Sequence, residues 1–191
     1  MAVTSNLAAG QVLTASTVNN YMINSGLVYV ASTTLSGAST NVASCFNSTY
    51  DNYRVVIGNL DLSTTTTRPL SIQFSNAGTP TATGYDWWAS YVYAGGGGNE
   101  GAAGATSWQI TQFSGDTTPS GSLWIEIGNP YGSSYTTGTN QAFAYQSGAG
   151  GYVNRIGGGV LKNNTSYTGL TVLTSGDSLS GTVTVYGYRK A

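Results

Sequence analysis

The chain has 191 residues, with six Lys plus Arg against seven Asp plus Glu, a formal net charge of −1, no histidine and one cysteine. Charged residues make up 7% of it, against roughly a quarter in soluble domains. Together these counts exclude Ser-His-Asp and Cys-His catalysis, histidine-built or thiolate-cluster zinc sites, an intrachain disulfide and a basic footprint for nucleic acid.

The amino-terminal stretch 1–26 reads as a separate docking segment. Thr14 or Ser16 can cap a short helix over Thr14–Ser25, Val18, Tyr21 and Met22 fall at i, i+3, i+4, and Gly26 stands where a helix stops. So narrow a stripe is barely stable alone. The apolar set Val12, Leu13, Val18, Tyr21, Met22 and Ile23 is therefore expected to dock on a partner surface. Neither a basic-then-apolar leader nor a membrane-length apolar run is present, so no membrane insertion is expected.

From Leu27 onward the pattern becomes short β-branched and aromatic runs separated by Gly, Asn, Asp and Ser, the pattern of an all-β protein. The expected strands are Leu27–Leu35, Val42–Phe46, Tyr53–Leu62, Leu70–Ser75, Tyr85–Tyr93, Thr106–Phe113, Ser122–Gly128, Gln141–Gln146, Tyr152–Leu161, Gly169–Thr174 and Gly181–Arg189. Cys45 reads as a small buried hydrophobe. Arg54-Val55-Val56-Ile57 is apolar on both faces, which predicts a mid-sheet strand covered on both sides. Alternation in Leu123-Trp124-Ile125-Glu126-Ile127 sets Leu123, Ile125 and Ile127 on one face, and the last strand sets Val183 and Val185 opposite Thr182, Thr184, Tyr186 and Tyr188. The glycine-rich 94–104 reads as a long exposed loop, without the Lys or following helix of a phosphate-binding loop.

Fourteen tyrosines and four tryptophans are the chain's most distinctive side chains. Along Tyr85–Tyr93 a strand puts Tyr85, Trp87, Tyr91 and Tyr93 on one face and Trp88 with Asp86, Ser90 and Val92 on the other. Tyr85, Trp87, Trp88, Tyr91 and Tyr93 are the candidate contacts for a glycan or a protein partner, since aromatic residues supply interface area and keep a polar tip. Filling of a sandwich core is the competing reading. A carboxylate pair for glycoside cleavage is the remaining hydrolytic scheme. Most of the acidic residues, such as Asp116 and Asp177, stand beside turn residues, so no enzyme activity, catalytic residue, metal or cofactor is expected.

Three stretches resemble tailed-bacteriophage virion structural proteins. They are Leu7-Ala8-Ala9-Gly10-Gln11-Val12-Leu13-Thr14-Ala15-Ser16-Thr17-Val18-Asn19-Asn20-Tyr21, the opening strand Tyr50-Asp51-Asn52-Tyr53-Arg54-Val55-Val56-Ile57, and the closing Gly181–Lys190. The resemblance implies an oligomeric tail, fibre or capsid-surface component with a jelly-roll-like body and no catalysis. The resulting expectation is a jelly-roll-like antiparallel β-sandwich over 27–191 with a short N-terminal helix, made in the host cytoplasm and carried in the virion. It would form a homo-oligomer, a trimer by preference, and join other virion proteins through 1–26, with host-surface carbohydrate recognition as the alternative role.

Overall fold

A computed structural model describes residues 26–115 and 121–189. The helix expected over Thr14–Ser25 and the docking residues Val12, Leu13, Val18, Tyr21, Met22 and Ile23 lie outside the described residues. Within them the chain is all-β and antiparallel: β1 (Leu27–Thr34), β2 (Ser39–Val42), β3 (Tyr50–Leu62), β4 (Arg68–Asn76), β5 (Thr79–Pro80), β6 (Tyr85–Tyr93), β7 (Gly96–Ala105), β8 (Trp108–Phe113), β9 (Gly121–Gly128), β10 (Thr136–Gln146), β11 (Gly151–Leu161), β12 (Gly169–Thr174) and β13 (Leu179–Arg189). A single 3-10 turn, Ser147–Ala149, links β10 to β11. Among the described residues no helix is long and apolar enough to cross a membrane.

Eight strands form one sheet in the order β1-β13-β3-β9-β10-β11-β6-β7, and β2-β12-β4 with β5 and β8 form the other. One apolar cluster lies between them, drawing Val55, Ile57, Leu123, Ile125, Val183 and Val185 from the larger sheet and Leu70, Ile72, Phe74, Ile110, Leu170 and Val172 from the smaller. Period-2 alternation explains the division: in β9 Leu123, Ile125 and Ile127 are buried while Trp124 faces outward, and in β13 Val183 and Val185 are buried between half-exposed or exposed neighbours.

Four expectations change. The stretch 94–104 is not a loop: after a two-residue turn at Ala94-Gly95, β7 pairs antiparallel with β6 from Tyr93↔Gly96 to Tyr85↔Ala105. A Cβ on Gly97 or Gly101 would meet the Tyr91 or Trp87 carbonyl oxygen at 2.6 or 2.7 Å, so glycine is what lets this backbone approach so closely. The strand expected over Val42–Phe46 ends at Val42; Ser44 turns through a positive φ of 52°, and Cys45 and Phe46 enter the core from the turn. Strand β3 is mid-sheet, between β13 and β9, but only its Val55–Ile57 side meets the core. Arg54 and Val56 lie half-exposed on the outer face, with the Arg54 guanidinium 5.6 Å from the Trp124 ring centroid and ion-paired to Glu126. Finally, β10 starts at Thr136 rather than Gln141, because the polar Thr136–Asn140 run is held by β9 on one side and β11 on the other.

Candidate functional site

Strand β6 carries the aromatic candidates and presents them in three settings. Tyr85 is fully buried. Its hydroxyl accepts the Phe74 backbone N–H at 2.8 Å and donates to the Thr81 carbonyl at 3.1 Å, and its ring stacks on Phe74 at 6.4 Å between centroids. Burial raises its phenol pKa above the ordinary value. Tyr85 is thus a core residue, and its place in the proposed contact set is corrected on that ground. Trp87, Tyr91 and Tyr93 are half-buried on the same inward side, with the Arg155 guanidinium 5.6 Å from the Trp87 ring centroid.

Trp88 is on the other side and 56% exposed. Its cross-strand neighbours are Gly158 on β11 and Gly101 on β7. With no side chain on either flank, the indole lies along an open shelf, a depression of about 700 Å³ whose lining includes Asp86, Trp88, Asn99, Gly101, Gly158 and Val160. A Cβ on Gly101 would come within 3.2 Å of Trp88 Cδ1, so β7 must be glycine there for the ring to rest where it does. At the shelf's rim Asp86 accepts from Lys162 Nζ at 2.5 Å and from the Gly104 N–H at 2.8 Å. The Lys162 contact first, then the Gly104 N–H, hold its carboxyl pKa below the ordinary value.

Beyond Trp88 the outer face of the larger sheet carries further apolar side chains among polar ones. Register places Val56, Trp124, Gln141, Ile156 and Ser90 in one cross-strand row and Ser122, Phe143, Asn154 and Val92 in the next. Ile156 is 54% and Phe143 52% exposed, and Phe143 stacks on Tyr152 at 5.1 Å with an interplanar angle of 6°. Nothing charged stands in these two rows. Trp124, Phe143, Tyr152 and Ile156 are not among the contacts expected from the sequence, although the alternation of β9, β10 and β11 sets each of them opposite the buried side.

Four of the acidic residues are held in ion pairs. Glu126 meets Arg54, Asp177 meets Arg68, Glu100 meets Arg155 and Asp86 meets Lys162. Among the described residues no group of three or more His, Cys, Asp or Glu is placed to hold a metal ion. Cys45 is buried, its Sγ donating to the Val42 carbonyl at 3.4 Å, and burial pushes its thiol pKa up to about 12, far from a reactive thiolate.

No protein-family model matches the chain, and no curated protein matches it either. One solved structure, the CBM2 module of the evolved Dit of Lactobacillus casei BL23 phage J-1, is similar to it at 10% sequence identity and a TM-score of 0.25, covering 86% of this chain and 77% of that one. Likeness at that level carries no weight for fold or function.

Proposed function

We propose that this chain is a non-enzymatic structural protein of a bacteriophage virion, a tail, fibre or capsid-surface component that assembles as a homo-oligomer. Its body is the two-sheet domain, jelly-roll-like as the family resemblance implies, and its residues 1–26 attach it to the particle. The observation that carries the reading is the outer face of the larger sheet, where Trp124, Phe143, Tyr152, Ile156 and Val92 are all exposed. A cluster of exposed large apolar side chains on one sheet face marks an interaction site, and the uncharged rows can be covered without desolvating an ion. Light scattering on the purified full chain tests it. An oligomer at micromolar concentration, insensitive to moderate salt and reduced to monomer by Ile156→Asp, is the expected result; a monomeric parent, or an Ile156→Asp variant of unchanged mass, overturns the assembly.

A second reading, recognition of host-surface carbohydrate, is favoured by the glycine-flanked Trp88 shelf. A bare indole face beside a carboxylate and the Asn99 amide is what a sugar ring needs to stack and hydrogen-bond. Trp88→Ala should lower adsorption to host cells by about 1–3 kcal/mol equivalent, the size of a lost aromatic anchor, and leave assembly intact. Unchanged adsorption removes the role.

A further inference from the structure

The outer face of the larger sheet has a second depression, of about 390 Å³, whose lining includes Asn52, Glu126, Gly128, Thr137, Thr139 and Tyr188. Strand pairing joins it to the Trp88 shelf. Thr137 and Thr139 on β10 stand opposite Val160 and Gly158 on β11, and those two β11 residues line the shelf. The two hollows therefore meet where β10 pairs with β11 and run together as one trough across the strands. One of its rows is Trp88, Gly158, Thr139, Glu126 and Arg54, and the other is Asp86, Val160, Thr137, Gly128 and Asn52. From Trp88 on β6 to Glu126 on β9 is three strand spacings, about 14 Å at roughly 4.8 Å each, which is longer than one sugar ring.

Between its ends the floor is low and uncharged. Gly128 and Gly158 carry no side chain, and the exposed Thr137 and Thr139 offer short hydroxyls. A Cβ on Gly128 would stand 3.4 Å from Asn52 Oδ1 and 3.5 Å from Thr137 Oγ1, so glycine keeps the gap between those two polar groups open. Each end has an ion pair, Asp86 with Lys162 beside Trp88 and Glu126 with Arg54 at the far end. The Tyr188 hydroxyl donates to Glu126 Oε1 at 2.9 Å, and the Glu126 side chain is 28% exposed where it lines the trough. A charged polymer would find each of these ions already matched. A peptide held by its backbone needs an open sheet edge, whereas β9, β10 and β11 have partners on both sides. A neutral polyol chain needs what is here: an indole face for one ring, hydroxyls and a carboxylate for the rings that follow, and no bulky side chain between them.

The geometry points to a binding site for a linear neutral oligosaccharide, with one ring on Trp88 and the chain running over Thr139 to Glu126, which accepts a hydroxyl proton from a ring farther along. The inference rests on the carbohydrate reading of the Trp88 shelf and extends it from one ring to a chain. Trp124, Ile156, Phe143 and Val92 stand in the next two rows, so glycan and apolar band use different side chains.

The test is calorimetric titration of the full-length chain with matched sugars: cellobiose and cellohexaose, maltose and maltohexaose, chitobiose and chitohexaose. At least one hexasaccharide should bind about tenfold or more tighter than its disaccharide, as two added hydrogen bonds give and beyond the few-fold gain that repeated registers on a single subsite supply. Glu126→Ala should weaken the hexasaccharide roughly fivefold to tenfold, as one lost hydrogen bond to a charged group does. Thr139→Leu, which puts a branched apolar stem in place of a hydroxyl on the floor, should bring the hexasaccharide close to the disaccharide's affinity. Trp88→Ala should weaken both members of the pair. Equal affinities within every pair, with binding lost in Trp88→Ala, overturn the trough and leave the Trp88 reading standing. A length gain untouched by both Glu126→Ala and Thr139→Leu overturns it as well, as does silence with all three hexasaccharides, and tighter binding of hexagalacturonate than of every neutral hexasaccharide overturns the neutral assignment.

Discussion

Replacing Gly159 by alanine should destabilise the protein, although strand propensity alone predicts the opposite. Trp108, from β8 in the smaller sheet, is 1% exposed and is the largest fully buried side chain among the described residues. Its indole lies across the larger sheet over Gly138 and Gly159, which are cross-strand partners on β10 and β11. A Cβ on Gly159 would stand 2.6 Å from both Cδ2 and Cε2 of the ring, and one on Gly138 would stand 2.8 Å from Cη2. Carbon pairs are comfortable at about 3.5–4.0 Å, so the indole must retreat by about 1 Å. It has packed side chains behind it, and forced overpacking of this kind costs about 1–3 kcal/mol. Relief of the glycine penalty returns only about 0.5–1 kcal/mol. The balance is a net loss of up to about 2.5 kcal/mol, which is a drop of up to about 10 °C in Tm for a chain of this size. Gly151 on the same strand is the control, since a Cβ there meets nothing within 4 Å, and Gly151→Ala should be neutral or slightly stabilising. Guanidinium unfolding followed by tryptophan fluorescence measures both. Equal midpoints for the two variants, with equal slopes, would falsify the packing argument.

Two further predictions concern pH and attachment. Cys45 has its thiol pushed up to about 12 by burial from an ordinary 9.0, and Tyr85 is also raised by burial; both stay protonated in the folded chain while the unfolded chain ionises. Stability should therefore hold below about pH 9 and fall above it by about 1.4 kcal/mol per pH unit for each group in its window, with Arg155, lowered by burial to about 10, opposing the loss only above that pH; denaturation midpoints unchanged between about pH 8 and pH 10 would contradict this. Deletion of residues 1–26 spares every strand, so the truncated protein should melt near the parent temperature yet fail to join assembling particles, and incorporation at normal copy number would refute the docking role.

How much of this was legible in the sequence depended on whether side chains or backbone held the element in place. Strands β6 and β12 have the boundaries read from the sequence, Tyr85–Tyr93 and Gly169–Thr174, because their aromatic and β-branched residues are what packs. Strand β7 was missed for the converse reason. Its run Gly96–Ala105 contains glycine, alanine, one asparagine and one glutamate, so no apolar periodicity exists to be found, and its order comes from pairing with β6. A composition rule that equates glycine with looseness fails wherever a neighbour supplies the hydrogen bonds. The candidate contacts were legible in part: alternation separates Trp88 from Tyr85, but it cannot tell which of two aromatic faces meets the core. Arg155 gave no signal at all, since a single arginine in a strand reads as an outward-facing residue until its neighbours are known.

The scarcity of charge takes on meaning only when the rows of the outer face are laid side by side. Arg54 and Glu126 stand in the row that runs through Thr139 and Gly158 to Trp88, and Asp86 with Lys162 lies at the shelf's rim. The next two rows, through Trp124 and Ile156 and through Phe143 and Val92, contain no ionisable group. The charges of that row and of the rim are thus on one side of the band and paired with each other, so a partner covering the band need not supply a counter-ion for them. Contact made in this way depends on area and shape, because screening acts on charges and the band has none to screen. That is why insensitivity to salt, together with sensitivity to a single carboxylate placed at Ile156, is the combination that separates this surface from an electrostatically steered one.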